Sequence, residues 1–119
     1  MKRLGAILSG LLLLTAPAWA HSALQRTDPP ANAVLQASPN EIRLWFSEPI
    51  RAGLSTIAVR DAAGKQVDRQ DLHPDAKEPA LVHLTLRPTL PAGVYQVIWS
   101  AVAQDLHVSK GSFSFKVTR

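Results

Sequence analysis

The run "GVYQVIWSAV", residues 93–102, decides the architecture. Tyr95, Val97 and Trp99 occupy every second position, and a period of two is that of an extended strand with one buried face. The same alternation recurs in both directions along the chain. "EIRLWF" (41–46) sets Ile42, Leu44 and Phe46 on one face, and "GLSTIAVR" (53–60) does so with Ile57 and Val59. "ALVHLTLRP" (80–88) alternates Val82, Leu84 and Leu86 against Leu81, His83 and Thr85, and "SFSFKV" (112–117) groups Phe113, Phe115 and Val117. Between these runs lie "TDPPANA", "ASPN", "DAAG", "HPDAKEP" and "RPTLPAG", whose Pro, Gly, Asp and Asn residues favour turns. Short strands at this spacing with no helical period between them predict an all-β fold, an antiparallel Greek-key β-sandwich.

The start of the chain obeys different rules. Lys2 and Arg3 precede an apolar stretch from Leu4 to Leu14, and Ala18-Trp19-Ala20 is a small-x-small cleavage pattern. That is the anatomy of a secretory signal, and the apolar run is too short for a membrane span of roughly 20 residues. The expected division is a signal peptide over 1–20 and one working domain over 21–119, secreted and not inserted in a membrane after cleavage. Removing 20 of 119 residues leaves 99. The chain has no cysteine, so a domain this small must rest on a well-filled core rather than on disulfides. Loss of Lys2 and Arg3 takes the 13 basic residues to 11, against 9 acidic. The remaining basic residues are scattered singly, without the stripe and stacking aromatics that nucleic acid requires.

All four histidines, His21, His73, His83 and His107, fall after the cleavage pattern. His83 alternates out of phase with the apolar residues of its strand and is expected to be a surface side chain. His73 lies in the polar segment "QDLHPDAKEP", expected to be an exposed loop in which Asp71, His73 and Asp75 hold a metal weakly at most. Asp105-Leu106-His107 differs, because it follows the strongest strand and precedes another. On an extended backbone residues i and i+2 project to one side, so carboxylate and imidazole would emerge together. A hydrogen-bonded structural pair is the alternative reading.

Cleavage before His21 changes that balance. A first-position histidine offers its α-amino nitrogen and imidazole Nδ1 from one residue, and an α-amino pKa of about 8 makes deprotonation cheap near neutrality. With Asp105 supplying one oxygen and His107 a third nitrogen, the set suits tetragonal Cu(II). Zinc prefers a tetrahedron, and Cu(I) prefers sulfur, which the mature chain lacks because its only methionine is Met1. Two other readings remain: a copper monooxygenase-like enzyme using a histidine brace, and a metal-free envelope interaction domain. The first lacks a broad aromatic surface, and an equatorial Asp105 would fill a position that oxygen chemistry needs open.

The sequence also resembles the periplasmic copper-binding CopC family over nearly all of the mature chain. The resemblance is carried by His21, "TDPPANA" (27–33), "LWFSEPI" (44–50), "LPAGVYQVIWSAVAQDLHVSKG" (90–111) and "FSFKV" (113–117). It implies an Ig-like antiparallel Greek-key β-sandwich of cupredoxin-like barrel form, and a periplasmic, non-enzymatic Cu(II) protein with His21, Asp105 and His107 as ligands and Glu48 as an axial ligand or a supporting carboxylate. It further implies a monomer that sequesters copper or delivers it to an inner-membrane transporter. Trp45, Tyr95 and Trp99 read as core or rim aromatics. Some members carry a methionine-rich Cu(I) segment with a histidine. That second site is expected to be absent here, although His73 lies in the corresponding region. Leu106 stands where relatives often have a small residue, and since Leu disfavours positive φ an extended Asp-Leu-His is expected.

Overall fold

A computed structural model describes residues 22–118. The expected signal peptide and His21 lie outside the described residues. Eight strands form two four-stranded sheets. In chain order they are β1 (Leu24–Asp28), β2 (Val34–Leu35), β3 (Glu41–Phe46), β4 (Thr56–Arg60), β5 (His73–Pro74), β6 (Leu81–Thr85), β7 (Gly93–Val102) and β8 (Val108–Val117). One sheet has the order β1-β3-β6-β5 and the other β2-β8-β7-β4. All pairings are antiparallel except β2 with β8. The expected β-sandwich is present, with one parallel pair at an edge. No helix among the described residues is long and apolar enough to cross a membrane.

The alternation read from the sequence is the burial pattern of the sandwich. Ile42, Leu44 and Phe46 of β3 and Val82 and Leu84 of β6 face Ile57 and Val59 of β4, Val97 and Trp99 of β7 and Phe115 of β8, all buried. Each such side chain contributes about 2 kcal/mol by leaving water. Asp68 is buried between the layers. It accepts the Val59 N–H at 2.8 Å while its own backbone bridges to Leu86, so the two sheets are joined by a satisfied carboxylate. Tyr95 stacks on Phe115 and donates its hydroxyl to the Pro91 carbonyl, closing the corner before β7. Trp45 lies on the outer face, where the Arg26 guanidinium covers its ring at 3.8 Å. Trp45 is thus a rim aromatic, while Tyr95 and Trp99 belong to the core.

Candidate metal centre

Strands β7 and β8 pair over their full length, ending at Val102↔Val108. The connection runs through Ala103–His107. Ala103 N–H donates to the His107 carbonyl and Leu106 N–H to the Ala103 carbonyl, each at 2.9 Å. Asp105-Leu106-His107 is therefore a turn and not an extension of the strand. Leu106 has φ +74°, correcting the expectation of an extended tripeptide. The hairpin must reverse within a few residues, and one left-handed position achieves this even though Leu adopts it reluctantly.

The turn still brings the two side chains together. Asp105 Oδ2 lies 2.8 Å from His107 Nδ1, and Oδ1 accepts the His107 backbone N–H at 3.1 Å. The His107 ring is 69% exposed and the Asp105 side chain 30%. Hydrogen bonding by the His107 ring, then by its backbone N–H, holds the Asp105 carboxyl below the usual range, so it is anionic at neutral pH. With Nδ1 facing the carboxylate, Nε2 is the ring nitrogen suited to a metal. A carboxylate that accepts two hydrogen bonds keeps lone pairs for one as well.

The segment after β3 packs beside this turn. Ile50 bridges to Ala103, Arg51 N–H donates to the Val102 carbonyl, and the Arg51 guanidinium reaches the Gln104 carbonyl at 2.8 Å. Glu48 is exposed in this segment. Its backbone holds Ser22, which is completely buried. Ser22 Oγ donates to the Glu48 carbonyl at 2.5 Å and accepts the Glu48 N–H at 3.2 Å. Ser109, two residues beyond His107, donates its hydroxyl to the Ser22 carbonyl at 2.7 Å. The residue that follows His21 is thus fixed between Glu48 and the start of β8. Asp105 and His107 are adjacent, Glu48 lies in the neighbouring segment, and His21 is not described. Among the described residues no group of three or more His, Cys, Asp or Glu side chains could hold a metal. The turn offers nitrogen and oxygen donors and no sulfur.

Sequence reasoning missed Ser22, Ser47 and Ser109. The signal was present, since each lies within two residues of a candidate ligand, but a serine there reveals nothing until its partner is known.

The other histidines depart from expectation. His83 faces outward, as its phase requires, but its side chain is only 16% exposed. Nδ1 lies 3.0 Å from Glu41 Oε1, Nε2 lies 2.7 Å from Asp75 Oδ1, and the ring stacks on His73. The simple surface reading fails because Glu41 of β3 and Asp75, just beyond β5, close over the ring. Burial alone would lower its pKa, but the hydrogen bonds to Asp75 and Glu41 outweigh that and the net shift is upward. Asp75, bonded to His83 and to the N–H groups of Lys77 and Glu78, is lowered to about 2. His73 is exposed as expected but lies in β5 rather than in a loop. Its Nδ1–H donates to the Asp71 carbonyl at 2.7 Å, and the Asp71 carboxylate accepts the Thr85 N–H. Asp71 and Asp75 thus both have structural partners.

Comparison with known proteins now bears on this geometry. Residues 24–118 match the family model described as CopC domain. The chain belongs to the CopC family. CopC proteins bind or transport copper and are not enzymes, so the monooxygenase reading is set aside. The solved CopC of Methylosinus trichosporium OB3b is 30% identical, with a TM-score of 0.75 over 82% of this chain and 94% of that one. PcoC of Escherichia coli, described as a methionine-rich copper resistance protein, is 30% identical, with a TM-score of 0.72 over 83% of this chain and all of that one. The Bacillus subtilis copper transport protein CutJ is 27% identical over 90% of this chain, which spans only 20% of the length of CutJ.

Proposed function

We propose that this CopC protein is a periplasmic Cu(II) carrier, cleaved after Ala20, whose metal is held by the α-amino group and ring of His21, by Asp105 and by His107 Nε2. Glu48 stands beside the site as an axial or supporting carboxylate. The observation that carries the reading is the position of Ser22. Completely buried, it is hydrogen-bonded to Glu48 on one side and to Ser109 on the other. Ser109 lies in the strand that leaves the hairpin bearing Asp105 and His107, so Ser22 is tied directly to that hairpin.

Capture requires no chemical step. The ionised Asp105 supplies an anionic oxygen and orients His107 through Nδ1. Release follows protonation of the nitrogen donors, or one-electron reduction to Cu(I) by an external thiol or similar reductant, since Cu(I) lacks its preferred sulfur ligands here. The protein acts as a monomer that buffers copper or passes it to an inner-membrane transporter. The likeness to part of CutJ, a copper transport protein, supports that direction.

The test is Cu(II) titration with EPR on a chain beginning at His21 and on one carrying a Gly-Ser extension before it. A 1:1 tetragonal signal in the first, weakened or altered in the second, is expected. Equal behaviour would refute the ligand set.

A further inference from the structure

The contacts around Ser22 are more elaborate than strand pairing requires. Pairing of β1 with β3 ends at Leu24↔Phe46. Beyond it the chain is held further by side chains. Ala23 N–H donates to Ser47 Oγ at 2.9 Å and Ser47 N–H to the Ala23 carbonyl at 2.7 Å. Ser22 Oγ both accepts from and donates to the Glu48 backbone, and Ser109 Oγ closes on the Ser22 carbonyl. The last of these contacts spans 87 residues of sequence and joins the start of the domain to the strand that follows His107. Chain ends ordinarily fray, and ordering them on binding costs affinity.

We infer that Ser22, Ser47 and Ser109 form a clamp that positions the first-residue ligand against the Asp105–His107 turn, with Ser109 the positioning residue that ties the two halves together. The inference rests on the copper reading above. The clamp fixes Ser22, to which the proposed first-position ligand is joined, beside the strand that follows His107. Ordering of the terminus is then completed by folding and does not fall on metal capture. Ser109 is only partly buried at the hairpin end of β8, so its hydroxyl can be removed without emptying the core. Ser22, by contrast, cannot lose its hydroxyl without stranding the Glu48 N–H.

The experiment uses chains beginning at His21: the parent, Ser109→Ala, Ser109→Thr and His21→Ala. Cu(II) affinity is measured by chelator competition, with EPR of the loaded protein, and melting and amide exchange of the metal-free protein. Loss of one hydrogen bond predicts Cu(II) affinity lower by roughly 3- to 10-fold in Ser109→Ala. The EPR spectrum should broaden or shift, the Ala23 amide of the metal-free protein should exchange faster, and Ser109→Thr should restore all three. Parent-like affinity and spectrum in Ser109→Ala, while His21→Ala loses copper, would overturn the clamp and leave the copper reading standing. Lower melting of Ser109→Ala with an unchanged spectrum would also overturn it, since the role would be structural alone. Parent-like copper binding by His21→Ala would overturn the ligand set and the clamp with it.

Discussion

Replacing Gly111 by alanine tests how the core reaches the candidate site. Gly111 lies opposite Trp99 in the β7–β8 register, and the indole lies across it. A Cβ built there would sit 2.7 Å from Cζ2, 2.9 Å from Cε2 and 3.0 Å from Nε1 of Trp99. Carbon atoms in ordinary contact are about 3.5–4.0 Å apart, so the ring must retreat by roughly 0.8 Å. It cannot do so freely, because Phe46 meets it edge-on at 5.6 Å and is itself buried. Overpacking of this kind costs about 1–3 kcal/mol, and removing a glycine from the unfolded chain returns about 0.5 kcal/mol. The expected net loss is about 1.5 kcal/mol, equivalent to a fall in Tm of roughly 6–12 °C for a domain of this size. Urea unfolding followed by far-UV circular dichroism gives the value directly. In a Trp99→Phe background the smaller ring leaves room, and the added cost of Gly111→Ala should drop below about 0.5 kcal/mol. An equal cost in both backgrounds, or none in either, would refute the steric account.

Two further expectations follow from groups away from the core. The His83 pKa is raised above its ordinary 6.5, so its contribution is full below that pH and is lost as pH rises through the higher folded value. Asp75, lowered to about 2 from 3.8, contributes above its ordinary value and loses its contribution as pH falls through about 2. The paired arrangement is therefore strongest between about pH 4 and 6.5. His83→Gln should cost about 1 kcal/mol at pH 5.5, after allowance for solvent screening, and clearly less at pH 8.5. Urea midpoints at the two pH values decide, and equal losses would show that packing rather than charge is responsible. Leu106 holds a left-handed backbone while 60% exposed, so Leu106→Asn should relieve strain at little loss of burial. Its Tm should rise by a few degrees, corresponding to about 0.5–1 kcal/mol, whereas a fall would mean that the leucine makes a stabilising contact.

Much of the fold can be read directly from the residues, because alternation is a local property. Ile42, Leu44 and Phe46 share a face whatever strand lies beside them, and a chain with five such runs and Pro/Gly-rich connections has few alternatives to a sandwich. Gly111 closes the stretch "LPAGVYQVIWSAVAQDLHVSKG", but only the register opposite Trp99 supplies a reason for a glycine there.

At the candidate site the donor types were legible and their arrangement was not. Asp105 and His107 were paired in the sequence on the premise of an extended backbone. The structure pairs them through a turn with Leu106 left-handed, because hairpin closure outweighs the preference of one residue. His83 was read as a surface side chain because its phase faces outward, yet Glu41, distant by 42 residues, and Asp75 enclose it. The hydroxyl that joins Ser109 to Ser22 spans 87 residues. Periodicity determines which face a side chain takes. Only the register between strands distant in sequence decides what that side chain meets, and hydrogen bonding is set by those meetings.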